Sequence, residues 1–245
     1  MGTIVAFTGK AGSGKSTILT NTACYLAKNS KLNVGCLSCD LRYPSLPGLF
    51  NGIEIPPERS IGKLFSDLDP AKKFVEYPGC EGVFVSATAI TDNALEYEPP
   101  GDRETIIKFL QRLNNSFDVL LVEAEDVQLN FFSMRAVKQC DIRFNVVTPS
   151  MQSMAWERAT SNLYKELPGK ILQILNADSE NFPVEEMKKV IGPISVQLPN
   201  IEQMHVCAEH GSPFYLESMQ LRAGRRYVKG IEKIGTLIKN GGELE

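Results

Sequence analysis

Gly9-Lys10-Ala11-Gly12-Ser13-Gly14-Lys15-Ser16-Thr17 decides the fold. It satisfies every fixed position of the phosphate-loop pattern G-x-x-x-x-G-K-[ST]. The run before it, Thr3-Ile4-Val5-Ala6-Phe7-Thr8, is apolar and β-branched and reads as a buried strand. Residues 17–28 read as a helix with Ile18, Leu19 and Leu26 for packing. In this context the loop wraps an anion with its backbone N–H groups, and Gly9, Gly12 and Gly14 keep side chains out of the way. The N-terminus of the following helix adds the positive end of its dipole. Lys15 supplies a mobile charge for β- and γ-phosphates, Ser16 a hydroxyl for Mg2+, and Thr17 a donor near the α-phosphate.

Composition bounds the rest. The 245 residues suit one α/β domain spanning 1–245. Hydrophobic residues make up 43% and charged residues 22%, ordinary for a globular protein. A net charge of −3 provides no global field toward nucleic acid or anionic membrane, so any such contact is local. No apolar run approaches the roughly 18 residues of a membrane span, and the first residues read as a strand rather than a signal peptide. Cys36-Leu37-Ser38-Cys39 is a C-x-x-C without a second ligand pair, so buried reduced thiols are expected for it and for Cys24, Cys80, Cys140 and Cys207. The expected compartment is the cytoplasm.

Further strands are expected over 33–40, 82–87, 117–123, 142–150, 170–177 and 194–199. Helices are expected over 103–113, 131–140, 151–167, 183–191 and 219–239, with a short surface helix near 60–68 behind Ser60 and an exposed loop over 91–101. This alternation predicts a three-layer sandwich with a mostly parallel central sheet covered on both faces. The phosphate loop, Asp40, Glu123 and Asn176 would then converge at the carboxyl ends of the strands.

Lys10, directly after the first glycine, makes the loop resemble the deviant Walker A pattern K-G-G-x-G-K-[ST] of the MinD/ParA group of P-loop ATPases, with Ala11 in place of one glycine. Asp40-Leu41-Arg42-Tyr43-Pro44-Ser45-Leu46, with Leu49-Phe50, resembles the D-x-D and L-R-x-P-S-L-x-x-L-F runs of bacterial tyrosine kinases and pilus-associated relatives in that superfamily. Ser38 stands where the first acid belongs. Glu123-Ala124-Glu125-Asp126-Val127 stands where the family writes D-x-P-x-G, so the switch proline and glycine are missing; Glu125 and Asp126 either compensate for that change or form a solvated acidic turn, the favoured reading. Residues 142–150 resemble the strand ending V-x-x-P-S. Pro199, Ala208, Gly211 and Pro213 resemble the family's I-P-x(7)-A-x(3)-G-x-P segment.

The resemblance implies ATP and Mg2+ as cofactors and a homodimer formed face to face around ATP, with slow hydrolysis. Nucleotide is expected on Gly9, Lys10, Ala11, Gly12, Ser13, Gly14, Lys15, Ser16, Thr17, Asn176 and Pro199, with Asn176 at the adenine, although Ala177 replaces the usual basic neighbour. The metal is expected at Ser16, Asp40 and Glu123. Lys10 reaches the partner's nucleotide, Lys15 binds phosphate, and Asp40 positions the attacking water. The flavour most like this chain is the TadZ/CpaE-like pilus or secretion assembly ATPase, acting with an unidentified protein partner. A ParA-like DNA-segregation ATPase, an inactive nucleotide-binding scaffold and a tyrosine kinase-like protein stand beside it. Residues 219–239 join an apolar stripe to Arg222, Arg225, Arg226, Lys229, Lys233 and Lys239. Packing on the sheet, an anchor on the inner face of the cell membrane and non-specific DNA contact compete for that helix, and Gly230 and Gly235 weaken it as an independent anchor.

Overall fold

The computed structural model describes residues 2–62, 70–93, 103–125, 130–178, 182–217 and 222–243. Strand β1 (Thr3–Thr8) runs into the glycine loop and helix α1 (Lys15–Ser30). Lys31, at φ 57°, ends α1 by turning its N–H back to Ala27 O. Then come β2 (Val34–Ser38), α2 (Ser45–Leu49), β3 (Val75–Glu76), β4 (Val83–Ser86), α3 (Arg103–Ser116), β5 (Val119–Glu123) and α4 (Phe131–Val137). The remainder alternates as β6 (Ile142–Val147), α5 (Met151–Lys165), β7 (Lys170–Asp178), α6 (Val184–Ile191) and β8 (Ile194–Pro199). Three helices follow: α7 (Glu202–Glu209), α8 (Phe214–Glu217) and α9 (Arg222–Lys239). Asn130 caps α4 and Ser150 caps α5, each side chain accepting from the backbone N–H three residues on.

Among the described residues the strands form one sheet in the order β3-β4-β2-β5-β1-β6-β7-β8, parallel except for β3. β1 lies near its centre, so the phosphate loop leaves the sheet where its neighbours also end. Alternation along β1 feeds both covering layers. Val5 and Phe7 join the apolar cluster beneath α1 and α9, whereas Ile4 and Ala6 join the one beneath α3 and α4. This is the expected three-layer sandwich. The short elements α2, β3, α7 and α8 are additions to what the sequence patterns predict. The short helix near 60–68 and the loop over 91–101 fall largely outside the described residues. Ser60 itself accepts hydrogen bonds from the N–H groups of Gly62 and Ala89 and contacts Asp92.

Helix α9 packs on the sheet layer, one of the three readings its sequence left open. Its apolar stripe, Tyr227, Ile231, Ile234, Leu237 and Ile238, is buried against α1 and β8. Gly230 and Gly235, expected to weaken the helix as an independent anchor, are points of close packing within the fold. A Cβ at Gly235 would stand 2.2 Å from Tyr25 Cε1, and one at Gly230 would stand 2.3 Å from Leu198 Cδ2. That apolar face is used within the fold. No described helix is long and apolar enough to cross a membrane.

Candidate nucleotide site

The loop geometry follows from its glycines. Gly9, Gly12 and Gly14 have φ of 135°, 77° and 91°, a region that side chains resist. A Cβ on Gly9 would fall 2.3 Å from Val146 O, and one on Gly14 would fall 2.3 Å from Asn176 Nδ2. Ser13 N–H closes a turn on Lys10 O at 3.1 Å, and Ile18 N–H opens α1 on Gly14 O at 3.0 Å. Lys15 Nζ donates to Gly9 O at 3.0 Å and Lys10 O at 3.3 Å, folding back over the loop. Lys10 Nζ reaches Ala11 O at 3.4 Å. Asn176 donates its amide to Ser13 O at 2.8 Å, which places it on the loop itself. Pro199 ends β8 and pairs in register with Asp178.

Glu123 is the centre of the polar cluster. It ends β5, level with Phe7 on β1 and Ser38 on β2. Its carboxylate is buried, with Oε1 accepting from Ser16 Oγ and Oε2 accepting from Ser38 Oγ at 2.9 Å and Ser45 Oγ at 3.1 Å. Thus one carboxylate and a hydroxyl partner replace the two carboxylates of the family pattern, and the longer glutamate meets Ser16 directly. Ser45, at the start of α2, is a member of this cluster that the sequence reading passed over. Its signal was the serine after Pro44 in the quoted run. Hydroxyl and carboxylate oxygens are hard donors, the chemistry that suits Mg2+. At Gly9 and Gly14 the cradle has no room for a Cβ, and the positive φ of all three loop glycines turns the backbone as a bound phosphate requires. The residues present therefore fit both groups.

Asp40 is engaged elsewhere. Its Oδ1 accepts from the N–H groups of Arg42 at 2.9 Å and Tyr43 at 3.2 Å, an Asx turn. Its carboxylate contacts lie within this turn, with Arg42 Nε 3.7 Å from Oδ1, whereas its backbone N–H donates to Ser38 Oγ at 3.3 Å, beside Glu123. Glu125 is also more than a solvated acid. Arg42 Nη2 pairs with its Oε1, and Asn130 Nδ2 donates to its Oε2 at 3.1 Å and to Cys39 O at 2.7 Å. These contacts tie the segment after β2 to the segment after β5. Asp126 lies outside the described residues.

All six cysteines are free and buried. Burial pushes the thiols of Cys36 and Cys39 far up, so they stay protonated and unreactive. Among the described residues no three His, Cys, Asp or Glu side chains gather as a metal site. On α9, Arg225, Arg226, Lys229, Lys233 and Lys239 stay exposed, with the Lys239 ammonium 5.9 Å from the Tyr25 ring centre.

The central strand, glycine cradle, helix and acid at the end of the adjacent strand sit on an α/β fold of the kind that solved MinD and ParA structures have. The cell division ATPase MinD of Pyrococcus furiosus superposes with a TM-score of 0.79 at 19% identity, over 97% of this chain and 100% of that one. MinD of Pyrococcus horikoshii, complexed with Mg-ADP, gives a TM-score of 0.80 at 18% identity over 100% of both chains. A ParA family ATPase of Chlorobium tepidum gives 0.78 at 20% identity, over 96% of this chain and 98% of that one. In sequence, an uncharacterized ATP-binding protein of Methanocaldococcus jannaschii is 24% identical over 218 residues, covering 87% of this chain and 80% of that protein. No protein-family model matches the chain.

Proposed function

We propose that the chain, as one domain over 1–245, is an ATP- and Mg2+-binding switch of the MinD/ParA type that dimerises around ATP and hydrolyses it slowly. The observation that carries this is the convergence of the glycine cradle, Lys15, Ser16 and the Ser38–Ser45–Glu123 cluster at the end of β1 and its neighbours. The M. jannaschii relative's description and the Mg-ADP complex of the P. horikoshii protein support the same ligands.

In this proposal the backbone N–H groups from Gly9 to Thr17 hold the phosphates. Lys15 turns from the carbonyls of Gly9 and Lys10 to the β- and γ-phosphates. Ser16 and Glu123 hold Mg2+, which when bound neutralises charge on those phosphate oxygens. Lys10 reaches toward a second copy. Asn176 keeps Ser13 in place and borders the base, and Pro199 closes the far side. Asp40 positions water only after its Asx turn opens, which supports slow turnover. The cellular setting we propose is the localisation of a cell-envelope assembly, pilus or secretion, supported by the Asp40–Phe50 resemblance. A nucleotide-bound scaffold without turnover is the second reading, favoured by Ser38 and by the engaged Asp40.

Sizing by light scattering with ATP, ADP or no nucleotide, while phosphate release is followed, tests this. A dimer with ATP alone, with slow release and loss of both in Lys10→Ala, is expected. A mass unchanged by ATP sinks the switch, and a dimer without release selects the scaffold. Lys15→Ala is expected to remove nucleotide binding, read as loss of the ATP-induced rise in Tm.

A further inference from the structure

The sheet carries a second polar site, away from the phosphate loop. In register, Arg143 on β6 faces Ile171 on β7, and Asn145 faces Gln173, so these four share one side of the sheet. Helix α5 lays Glu157, Ser161 and Tyr164 over them, and the end of α6 with the entry to β8 adds Val190, Ile191 and Ile194. A cavity of about 410 Å³ lies between, within the range of small-molecule sites. Its rim, at Lys165, Ile171 and Ser195, lies at the amino ends of β7 and β8, whereas the phosphate loop leaves the carboxyl end of β1.

Arg143 is the reason to look for a ligand. It is fully buried, yet only its Nη2 is bonded, to Tyr164 O at 2.6 Å, with the Tyr164 ring centre 5.2 Å from the guanidinium carbon. Nε and Nη1 have no hydrogen-bond partner, and among the described residues no carboxylate pairs with it. A buried donor left unbonded costs about 1–3 kcal/mol, more when charged. Acceptor oxygens supply what is missing. The other polar groups are already matched: Asn145 Nδ2 donates to Glu157 Oε2 and to Gln173 Oε1, each at 2.9 Å. One buried cation beside one carboxyl group, with Lys165 only at the exposed rim, favours a monoanion over a phosphate dianion. The apolar arc of Ile171, Leu172, Val190, Ile191 and Ile194 favours a short hydrocarbon tail.

We propose that the cavity between α5 and the β6–β7 face is a binding site for a small monocarboxylate with an apolar chain, its carboxylate on Arg143 and its tail against Ile171, Ile191 and Ile194. The site is separate from the nucleotide site and does not depend on the function proposed above.

Sodium hexanoate is the probe, titrated calorimetrically into the full chain, with hexanamide and sodium phosphate as controls. One hexanoate per chain, with at least about tenfold weaker binding of both controls, is expected; a tenfold change corresponds to about 1.4 kcal/mol. Arg143→Met is expected to weaken hexanoate at least tenfold. Ser161→Trp, which fills the cavity and leaves Arg143 in place, provides the same test if the first variant does not fold. A crystal grown with 6-bromohexanoate places the tail by its bromine signal. No hexanoate binding at millimolar concentration, equal binding of phosphate, undiminished binding in the folded variants, or bromine only outside the cavity overturns the proposal.

Discussion

Strands β6 and β7 present two unlike faces. Toward α1 and α9 they show Phe144, Val146, Leu172 and Ile174, all buried and apolar, with the Phe7 and Phe144 rings stacked at 5.4 Å. Toward α5 the same strands show Arg143, Asn145 and Gln173, a cavity and unbonded guanidinium nitrogens. Composition is not the difference, since one alternating segment makes both faces. One face is optimised for burial, and the other carries polar groups that a purely structural layer would replace. The contrast teaches that a buried polar layer with unmet hydrogen bonds marks where binding, rather than stability, has shaped the sequence.

Substitutions on the two faces sharpen or break this contrast. The largest effect is expected from Phe144→Ala, which should cost about 3–5 kcal/mol in urea unfolding; a loss under about 1 kcal/mol would mean that the apolar face is not the stabilising one. Next comes pH. Burial raises the Glu157 carboxyl to about 7, opposed by the Asn145 hydrogen bond. The folded chain therefore holds this proton more tightly than the unfolded one. Glu157 stabilises the protein fully below the ordinary carboxylate range and progressively less as the pH rises toward about 7, by up to about 3 kcal/mol. Glu157→Gln should flatten that slope, and an unchanged stability–pH profile would contradict it. Arg143→Met should be neutral or stabilising by about 1 kcal/mol, because a buried unpaired cation gives way to an apolar chain of similar length. A marked loss of stability would show that Arg143 holds the fold. The smallest and cleanest comparison lies within β7. Ile174→Val, on the sealed face, should cost about 1 kcal/mol, whereas Ile171→Val, on the half-open face, should cost under about 0.5 kcal/mol.

The P-loop unit was legible because glycine spacing, a β-branched run and a helical period all agree over residues 3–28. The sheet was legible because its central strands are short, continuous apolar runs. Four things were not. The role of Ser45 depends on a turn that folds it back over Glu123, and the pairing of Ser38 with Glu123 depends on strand order, which spacing does not contain. Gly230 and Gly235 look like defects until Leu198 and Tyr25 are seen against them. Arg143, Asn145 and Gln173 were read as parts of apolar strands, although their alternation was the available signal. The Asx turn at Asp40 was also invisible to a motif, because a motif gives the residue and not which way its carboxylate turns.

The packing of α9 on α1 and β8 has a consequence in time. The layer that begins with Val5, Phe7 and Ile18 is closed by Tyr227, Ile231, Ile234, Leu237 and Ile238, from the opposite end of the sequence. During synthesis the early strands and α1 emerge first, and their apolar flank waits, uncovered, for the ribosome to deliver its last wall. A stop codon just before Tyr227 is therefore expected to yield a fragment with this apolar layer uncovered, read as aggregation rather than as a smaller folded domain.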